Sequence, residues 1–201
     1  MDKTAARKTG LKARRNMTPE QRAEADALLC SGAFHFLAPY HTVGIYVSAR
    51  DEADTRQLIQ KLLDCGKCVC IPRVCGKTLT FHRITTLEGL VKSSFGIDEP
   101  EDKDRMAVAD IDVMIVPLSA FDKAGHRTGY GRGFYDSVLN DAALKIGYAY
   151  PCQEVDSIDT DPWDVDLDGI MTICERMGEK SATIVTTGRL SSVGRAHPSQ
   201  G

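Results

Sequence analysis

The sequence has no apolar run of the roughly 20 residues that a membrane-spanning helix needs. Its N-terminal segment is basic but has no apolar core of a secretory signal, so we expect neither membrane insertion nor secretion. The chain also has no strong excess of either charge, because 25 basic and 28 acidic side chains give a formal net charge of −3. This balance makes no general case for a nucleic-acid partner. A chain of 201 residues with 42% hydrophobic residues can bury a sizeable core without disulfides.

Cysteine pairing is not expected either. The seven cysteines are an odd number, and without a secretory signal they favour reduced thiols and a cytoplasmic location. Four of them, Cys65, Cys68, Cys70 and Cys75, lie close enough to suggest zinc, but a second ligand pair at zinc-site spacing is missing. The favoured interpretation is structural: Cys65 ends a helix, and Cys68 and Cys70 pack from one face of a strand.

The apolar and polar pattern predicts alternating helices and strands. Helices are predicted over 3–16, from Pro19 to about Leu37, over 55–66 and over 133–144, and strands over 42–48, 67–72, 79–84, 111–117, 145–150 and 169–174. Thr18, Pro19 and Gln21 give the start signal of the second helix: a cap, a first-turn proline and a capping-box glutamine. Strand, helix and strand between 42 and 72 form a βαβ unit with parallel strands. The nearly unbroken apolar run at 111–117 is typical of a strand covered on both faces.

These elements predict an α/β fold, a three-layer sandwich around a mostly parallel, Rossmann-like sheet. Ligands are then expected outside the carboxyl ends of the strands. The pattern dissolves from about Arg176, where the sequence turns polar with scattered Gly and Ser. We therefore expect a single domain over residues 1–175 and a tail over 176–201 that is either disordered or non-native.

The stretch "RTGYGRGFYD" (127–136) carries the strongest chemical signal. Its alternating glycines would let phosphate oxygens approach backbone N–H groups without meeting a Cβ atom. Arg127 and Arg132 supply forked donors suited to phosphate. Asp136, expected in the first turn of the following helix, is placed to hold a magnesium ion brought by a nucleotide. The alternative is a glycine-rich turn whose arginines are merely solvated.

Two familiar nucleotide signatures are absent. A P-loop needs G-x-x-x-x-G-K-[ST], which does not occur, and a dinucleotide fingerprint needs G-x-G-x-x-G soon after the first strand. Here the spacing is G-x-G-x-G, late in the chain. The stretch is therefore neither of these two common nucleotide signatures.

The longer stretch "VPLSAFDKAGHRTGYGRGFYD" (116–136) resembles the signature of the 5-formyltetrahydrofolate cyclo-ligase family. The matching positions are Pro117, Phe121, Asp122, Gly125, Arg127, Gly129, Gly131, Gly133, Tyr135 and Asp136. Segments 3–22, 45–55, 95–100 and 147–172 also look familial and fall in family order. The resemblance covers about residues 3–175.

The resemblance implies an enzyme that uses ATP and Mg²⁺ to convert 5-formyltetrahydrofolate to 5,10-methenyltetrahydrofolate, ADP and phosphate. Phosphorylation would turn the formyl oxygen into a good leaving group, after which the second folate nitrogen closes the ring. Such a reaction needs alignment and charge stabilisation rather than a protein nucleophile. The implied partners are these two small molecules, with no nucleic acid, no membrane and a monomeric chain.

The resemblance also assigns site residues position by position. The ATP-binding set is Lys3, Arg7, Arg127, Thr128, Gly129, Tyr130, Gly131, Arg132, Gly133, Phe134 and Tyr135. The substrate-binding set is Val47, Glu52, Tyr130, Gly131, Arg132, Gly133 and Phe134. Arg127, Arg132 and Tyr135 are assigned as catalytic, and Asp136 and Asp164 as magnesium ligands.

Each assignment has a plainer interpretation. Lys3 and Arg7 share one helix face and would otherwise be an exposed basic surface. Asp164 would otherwise belong to a solvated acidic loop, and Glu52 would be one surface charge among several. A carboxylate at position 52 can nevertheless accept hydrogen bonds from the amino and ring N–H groups of a pterin.

The chain departs from the family pattern at three positions. Thr128 stands where an aliphatic residue is usual, Phe134 replaces a tyrosine, and Ser137 replaces a frequent arginine. None of these changes removes a charge assigned to ATP or metal, so they bear on substrate affinity rather than on the reaction class.

Other functions stay open at this point. A sugar-phosphate isomerase on a similar scaffold would also use the two arginines, although it would need an acid–base pair and no ATP. A non-catalytic protein that binds a nucleotide or folate is a second alternative. A nucleic-acid role through the basic first helix is the weakest, because no stacking aromatic residues interleave its charges.

Overall fold

The computed structural model describes residues 1–176 and 178–186. These residues form three α-helices, α1 (Lys3–Arg15), α2 (Pro19–Phe36) and α3 (Arg56–Asp64). The strands are β1 (Thr42–Ile45), β2 (Cys68–Cys75), β3 (Thr78–Ile84), β4 (Val91–Lys92), β5 (Asp98–Glu99), β6 (Arg105–Met106), β7 (Val113–Pro117), β8 (Ala120–Phe121), β9 (Arg127–Thr128), β10 (Lys145–Tyr148), β11 (Gly169–Arg176) and β12 (Glu179–Thr186). No helix in this described part is long and apolar enough to cross a membrane.

Eight strands form one sheet in the order β12-β11-β10-β7-β1-β2-β3-β6. The five adjacent strands from β11 to β2 are parallel, and the outer strands are antiparallel. The predicted α/β fold with a mostly parallel sheet is confirmed. The chain leaves β1 toward β2 on one side and returns to β7 on the other, so the strand order reverses between β1 and β7. Ligands of such sheets bind at this reversal, outside the carboxyl ends of the strands.

Both faces of the sheet are covered, which explains the apolar run at 111–117. Val113 and Ile115 pack into the core beneath α2 and α3. Met114 and Val116 point to the opposite core, which also contains Leu139. Successive side chains of a strand point to opposite faces, so every position of a strand that is covered on both faces is buried and favours an apolar residue.

The helix predicted over 133–144 is wrong. Residues 134–138 form turns, and only the short 3₁₀-helix Leu139–Asp141 follows. Gly131 and Gly133 have φ of 80° and 66°, outside the helical region, and the Ser and Asn side chains that follow favour turns. The apolar spacing was still informative, because Val138 and Leu139 are buried. Asp136 therefore lies in a turn and not in a helix.

Helix α1 presents one buried stripe to the rest of the protein, formed by Ala6, Gly10 and Arg14. A Cβ atom on Gly10 would lie 2.1 Å from the carbonyl oxygen of Ser119, which directly follows β7 and Leu118. Only glycine allows this approach of the helix to the backbone. The predicted capping box at Thr18 and Gln21 then starts α2.

The predicted tail over 176–201 is wrong for part of its length. Strand β11 runs to Arg176, and Glu179–Thr186 pairs with it along its whole length as β12. Ala182 and Ile184 alternate toward the core, and Ala182 would collide with any Cβ atom on Gly32 of α2. The polar composition hid this alternation. Residues 187–201 lie outside the described residues.

The cysteines at 65–75 follow the structural interpretation. Cys68 and Cys70 are buried on one face of β2, while Cys65 and Cys75 are exposed. Burial raises the pKa of the Cys70 thiol to about 12, which keeps it protonated. The described residues contain no group of three or more potential ligands arranged to hold a metal ion.

We predict that Gly10→Ala destabilises the protein although alanine is the better helix former. The change would ordinarily stabilise a helix by about 1 kcal/mol. Here the new methyl group meets the Ser119 backbone, and such overpacking costs about 1–3 kcal/mol. Urea unfolding measures the difference. Thr9→Ala, at an exposed position of the same helix, is the control, and equal stability of both variants would contradict the proposed contact.

Candidate active site

A cavity of about 1030 Å³ opens at the carboxyl ends of β1 and β7, where the strand order reverses. Tyr46 and Val47 follow β1 into its wall, and Pro117 enters it from the end of β7. The cavity brings together every site residue predicted from the sequence, namely Lys3, Arg7, Val47, Glu52, Arg127, Thr128, Gly129, Tyr130, Gly131, Arg132, Gly133, Phe134, Tyr135, Asp136 and Asp164. Residues more than 150 positions apart in the sequence thus share one site.

Three basic side chains on one stripe of α1 contact the cavity wall at successive points. Lys3 donates to Asp161 Oδ2 at 2.7 Å and also pairs with Asp164. Arg7, one turn later, donates to the carbonyl oxygen of Gly129. Arg14, two turns further on, is fully buried. The helix therefore lies along the cavity.

The segment from Arg127 to Asp136, here called the glycine loop, passes directly over Arg7. A Cβ atom on Gly131 would lie 3.1–3.2 Å from the Arg7 guanidinium, and φ of this residue is 80°. A side chain at position 131 would meet both a steric and a conformational penalty. Arg7 also donates to Thr128 Oγ1 at 3.3 Å, so the family departure at Thr128 adds a hydrogen bond.

Two buried donors in the glycine loop have no hydrogen-bond partner within the described residues: Arg127 Nε and the Tyr135 hydroxyl. Leaving such groups unpaired costs free energy, which an oxygen ligand in the cavity would recover. Burial raises the pKa of Tyr135 well above its ordinary value, so its hydroxyl remains a donor. Arg127 also donates through Nη2 to Asp136 Oδ1 at 2.7 Å.

Glu52 lies at the other end of the cavity, in a chain of hydrogen bonds. Tyr130 donates to Glu52 Oε1 at 2.9 Å, and Arg14 donates to the Tyr130 oxygen at 2.8 Å. The N–H of Ala49 donates to Glu52 Oε2 at 2.9 Å. Burial raises the pKa of Glu52, against the opposing effect of these donors. The loop and the Glu52 turn are thus joined through the Tyr130 hydroxyl.

An aromatic pair forms a further part of the wall. The rings of Phe95 and Phe134 lie 6.1 Å apart, and the Arg132 guanidinium lies 4.2 Å from the Phe95 ring centroid. Phe134, which replaces a family tyrosine, makes this contact through its ring alone. Within residues 1–176 and 178–186, Arg132 is held by a cation–π contact and by no carboxylate.

Asp136 and Asp164 are the two carboxylates that could hold a metal ion. Each uses one oxygen within the described residues: Asp136 Oδ1 accepts from Arg127, while Asp164 Oδ2 accepts from Lys3 and from the Asp161 N–H. Burial disfavours ionisation of Asp164, but the Lys3 ammonium outweighs it and lowers the pKa. Two carboxylates, each with a further oxygen, fit Mg²⁺, which takes one or two carboxylates and completes its shell with water and phosphate.

Among the residues in or against this site that sequence reasoning missed are Arg14, Phe95, Asp161 and Trp163. Arg14 lies seven residues after Arg7, and this spacing could have indicated it. The others join the site only through tertiary contacts. The motif residue Asp122 has a structural role, since it accepts from the N–H groups of Ala124, His126 and Ile158.

Fold and cavity together define an α/β protein with a cavity, lined by basic side chains, at the reversal point of a mostly parallel sheet. The sequence profile of the 5-formyltetrahydrofolate cyclo-ligase family matches residues 1–173. The 5-formyltetrahydrofolate cyclo-ligase of Escherichia coli (strain K12) is 33% identical over 170 residues, covering 79% of this chain and 93% of that protein. The protein of the same name from Haemophilus influenzae is 33% identical over 171 residues, covering 80% and 91%.

Solved structures agree with the sequence comparison. The NMR structure of 5,10-methenyltetrahydrofolate synthetase from Aquifex aeolicus matches with a TM-score of 0.76 at 31% identity, over 85% of this chain and 89% of that one. The 5,10-methenyltetrahydrofolate synthetase of Mycoplasma pneumoniae matches with a TM-score of 0.70 at 27% identity, over 85% and 98%. This chain therefore belongs to the 5-formyltetrahydrofolate cyclo-ligase family, whose members are enzymes. The resemblance seen in the sequence is confirmed.

We predict that Tyr130→Phe raises the pKa of Glu52. A hydrogen bond donated to a carboxylate favours its ionised form, and the variant removes that donor while the ring stays. An NMR titration of the Glu52 carboxyl carbon measures the shift. Tyr40→Phe, at a ring that packs against Phe36, is the matched control. An unchanged or lower pKa in Tyr130→Phe would contradict the hydrogen bond.

Proposed function

We propose that this protein converts 5-formyltetrahydrofolate to 5,10-methenyltetrahydrofolate, with ATP as the phosphoryl donor and Mg²⁺ as the accompanying ion. The observation that carries the proposal is the cavity itself, which is lined by cations from α1 and the glycine loop, by two carboxylates suited to magnesium, and by the partly buried Glu52. Unpaired donors at Arg127 and Tyr135 support an anionic ligand at the loop. Family membership and the names of the relatives supply the substrate.

The chemistry begins at the formyl oxygen, which leaves poorly as hydroxide. This oxygen attacks the γ-phosphorus of ATP and the bond to ADP breaks, so that the formyl carbon carries a phosphate ester. The second folate nitrogen then attacks that carbon and loses its proton, and phosphate departs with the former formyl oxygen. The ring closes as 5,10-methenyltetrahydrofolate, and no protein nucleophile is needed.

The residues of the cavity act by position and charge. Arg7, Arg127 and Arg132 provide guanidinium groups for the charge that spreads over the transferring phosphoryl oxygens. The neutral Tyr135 hydroxyl donates a hydrogen bond in the same wall. Asp136 and Asp164 would hold the magnesium ion, which neutralises phosphate charge when bound.

Glu52 orients the other substrate. Its carboxylate accepts from the amino and ring N–H groups of the pterin, and Val47 contributes an apolar surface to the same cavity. When the folate enters, a pterin N–H would replace the Tyr130 hydroxyl as a donor to Glu52, and Tyr130 would be released. The seven free thiols support a cytoplasmic location, and we propose a monomer.

The test follows 5,10-methenyltetrahydrofolate by its absorbance, with wild-type protein and Asp136→Ala. We expect wild-type product that needs both ATP and Mg²⁺, and a rate lower on the order of 100-fold in the variant, because one electrostatic group is lost from the transferring phosphate. Asp141→Ala, at an exposed carboxylate in the neighbouring 3₁₀-helix, controls for a general charge effect.

Two results would contradict the proposal. Folded wild-type protein that forms no product would favour a binding protein or a different substrate. Turnover of a sugar phosphate without ATP or magnesium would favour the isomerase.

A further inference from the structure

The cavity contains one large aromatic side chain that the proposed chemistry does not use. Trp163, the only tryptophan of the chain, lines the cavity and is 71% exposed. Within the described residues its indole makes no hydrogen bond, ion pair or ring contact. Other aromatic rings of the wall are occupied, since Phe95 contacts both Phe134 and Arg132. Trp163 therefore offers a free apolar face to a ligand.

The turn that carries Trp163 is held in place on both sides of it. The N–H of Asp161 donates to Asp164 Oδ2 at 2.6 Å, and the N–H of Asp164 donates to the Asp161 carbonyl at 3.0 Å. Lys3 pairs with both carboxylates and so ties the turn to the start of α1. The turn thus holds the exposed indole in a fixed position in the cavity wall.

Helix α1 gives the order of the groups along the cavity. Lys3 contacts the turn of Trp163, Arg7 contacts the glycine loop, and Arg14 reaches Tyr130 and through it Glu52. Lys3 and Arg14 are separated by roughly 16.5 Å along the helix axis, at 1.5 Å per residue. The phosphate-binding groups thus lie between Trp163 at one end and Glu52 at the other.

This order separates the two ends of the nucleotide. If the γ-phosphate meets the folate at the glycine loop, the ribose and base must extend away from Glu52, toward Lys3 and Asp164. We propose that Trp163 is the stacking platform for the purine base of ATP. This inference rests on the proposed function, and it adds the position and chemistry of the base subsite. Stacking of a base on an aromatic ring strengthens binding on the order of 10-fold or more.

The experiment uses the single tryptophan as the reporter, in the whole protein with magnesium and without folate. ATP is expected to quench the Trp163 fluorescence by stacking, whereas inorganic tripolyphosphate is expected to bind without comparable quenching. Calorimetric titration gives the dissociation constant of each ligand independently of fluorescence and of turnover.

Two variants separate stacking from a structural role. Trp163→Leu is expected to weaken ATP binding on the order of 10-fold and to leave tripolyphosphate binding unchanged, while Trp163→Phe keeps part of the ATP affinity. Val91→Ala, an exposed apolar residue outside the cavity, is the control.

Several outcomes would overturn the inference. If Trp163→Leu bound ATP as tightly as the wild-type protein does, the indole would have no stacking role. An equal loss for ATP and tripolyphosphate would show that the side chain only supports the turn, and a loss confined to 5-formyltetrahydrofolate would assign it to the other substrate. If wild-type protein bound neither ATP nor tripolyphosphate, the proposed function would fail and the inference with it.

Discussion

The contact between Gly10 of α1 and the Ser119 backbone is the constraint on which the rest of the site depends. The helix approaches so closely that a Cβ atom would lie 2.1 Å from the Ser119 carbonyl. Ser119 holds the glycine loop as well, since its hydroxyl donates to the carbonyl of Thr128 at 2.7 Å. Its own carbonyl accepts from Gln153 Nε2 at 3.2 Å. Ser119, two residues after the end of β7, thus fixes both the helix and the loop relative to the sheet.

Because α1 is fixed there, its basic side chains Lys3, Arg7 and Arg14 reach three separate parts of the cavity wall. Arg14 is the most constrained of these cations, fully buried and bonded to Asp51 at 3.0 Å and to Tyr130. Removal of one partner of a buried charge pair is costly, so Asp51 and Arg14 are expected to depend on each other for stability. The same network holds Glu52 through Tyr130, which links the Glu52 end of the proposed active site to the glycine loop.

Local rules predicted much of this arrangement. The parallel βαβ unit, the capping box of α2 and the doubly covered β7 follow from periodicity and end signals, which depend on neighbouring residues alone. The glycine loop was identified because its glycine spacing and family signature are contiguous. Lys3, Glu52 and Asp164 came from the resemblance, since nothing in their own segments distinguishes them from surface charges.

The errors have a common physical origin in tertiary contacts. Residues 133–144 have helical spacing, yet the glycines and polar residues keep the segment in turns while its apolar side chains reach the core. The sequence of β12 is typical of a tail because its polar positions face outward, and only β11 and α2 give the apolar positions a partner. Phe95 and Trp163 lie in loops whose role depends on what they meet across the cavity.

We propose that the formyl oxygen is phosphorylated within this cavity and leaves with phosphate. The most direct measurement follows the oxygen atom itself: 5-formyltetrahydrofolate labelled with ¹⁸O in its formyl group is converted with ATP and Mg²⁺, and the released phosphate is analysed by mass spectrometry. One ¹⁸O atom is expected in each phosphate formed. Unlabelled phosphate, with the label released to water, would contradict it.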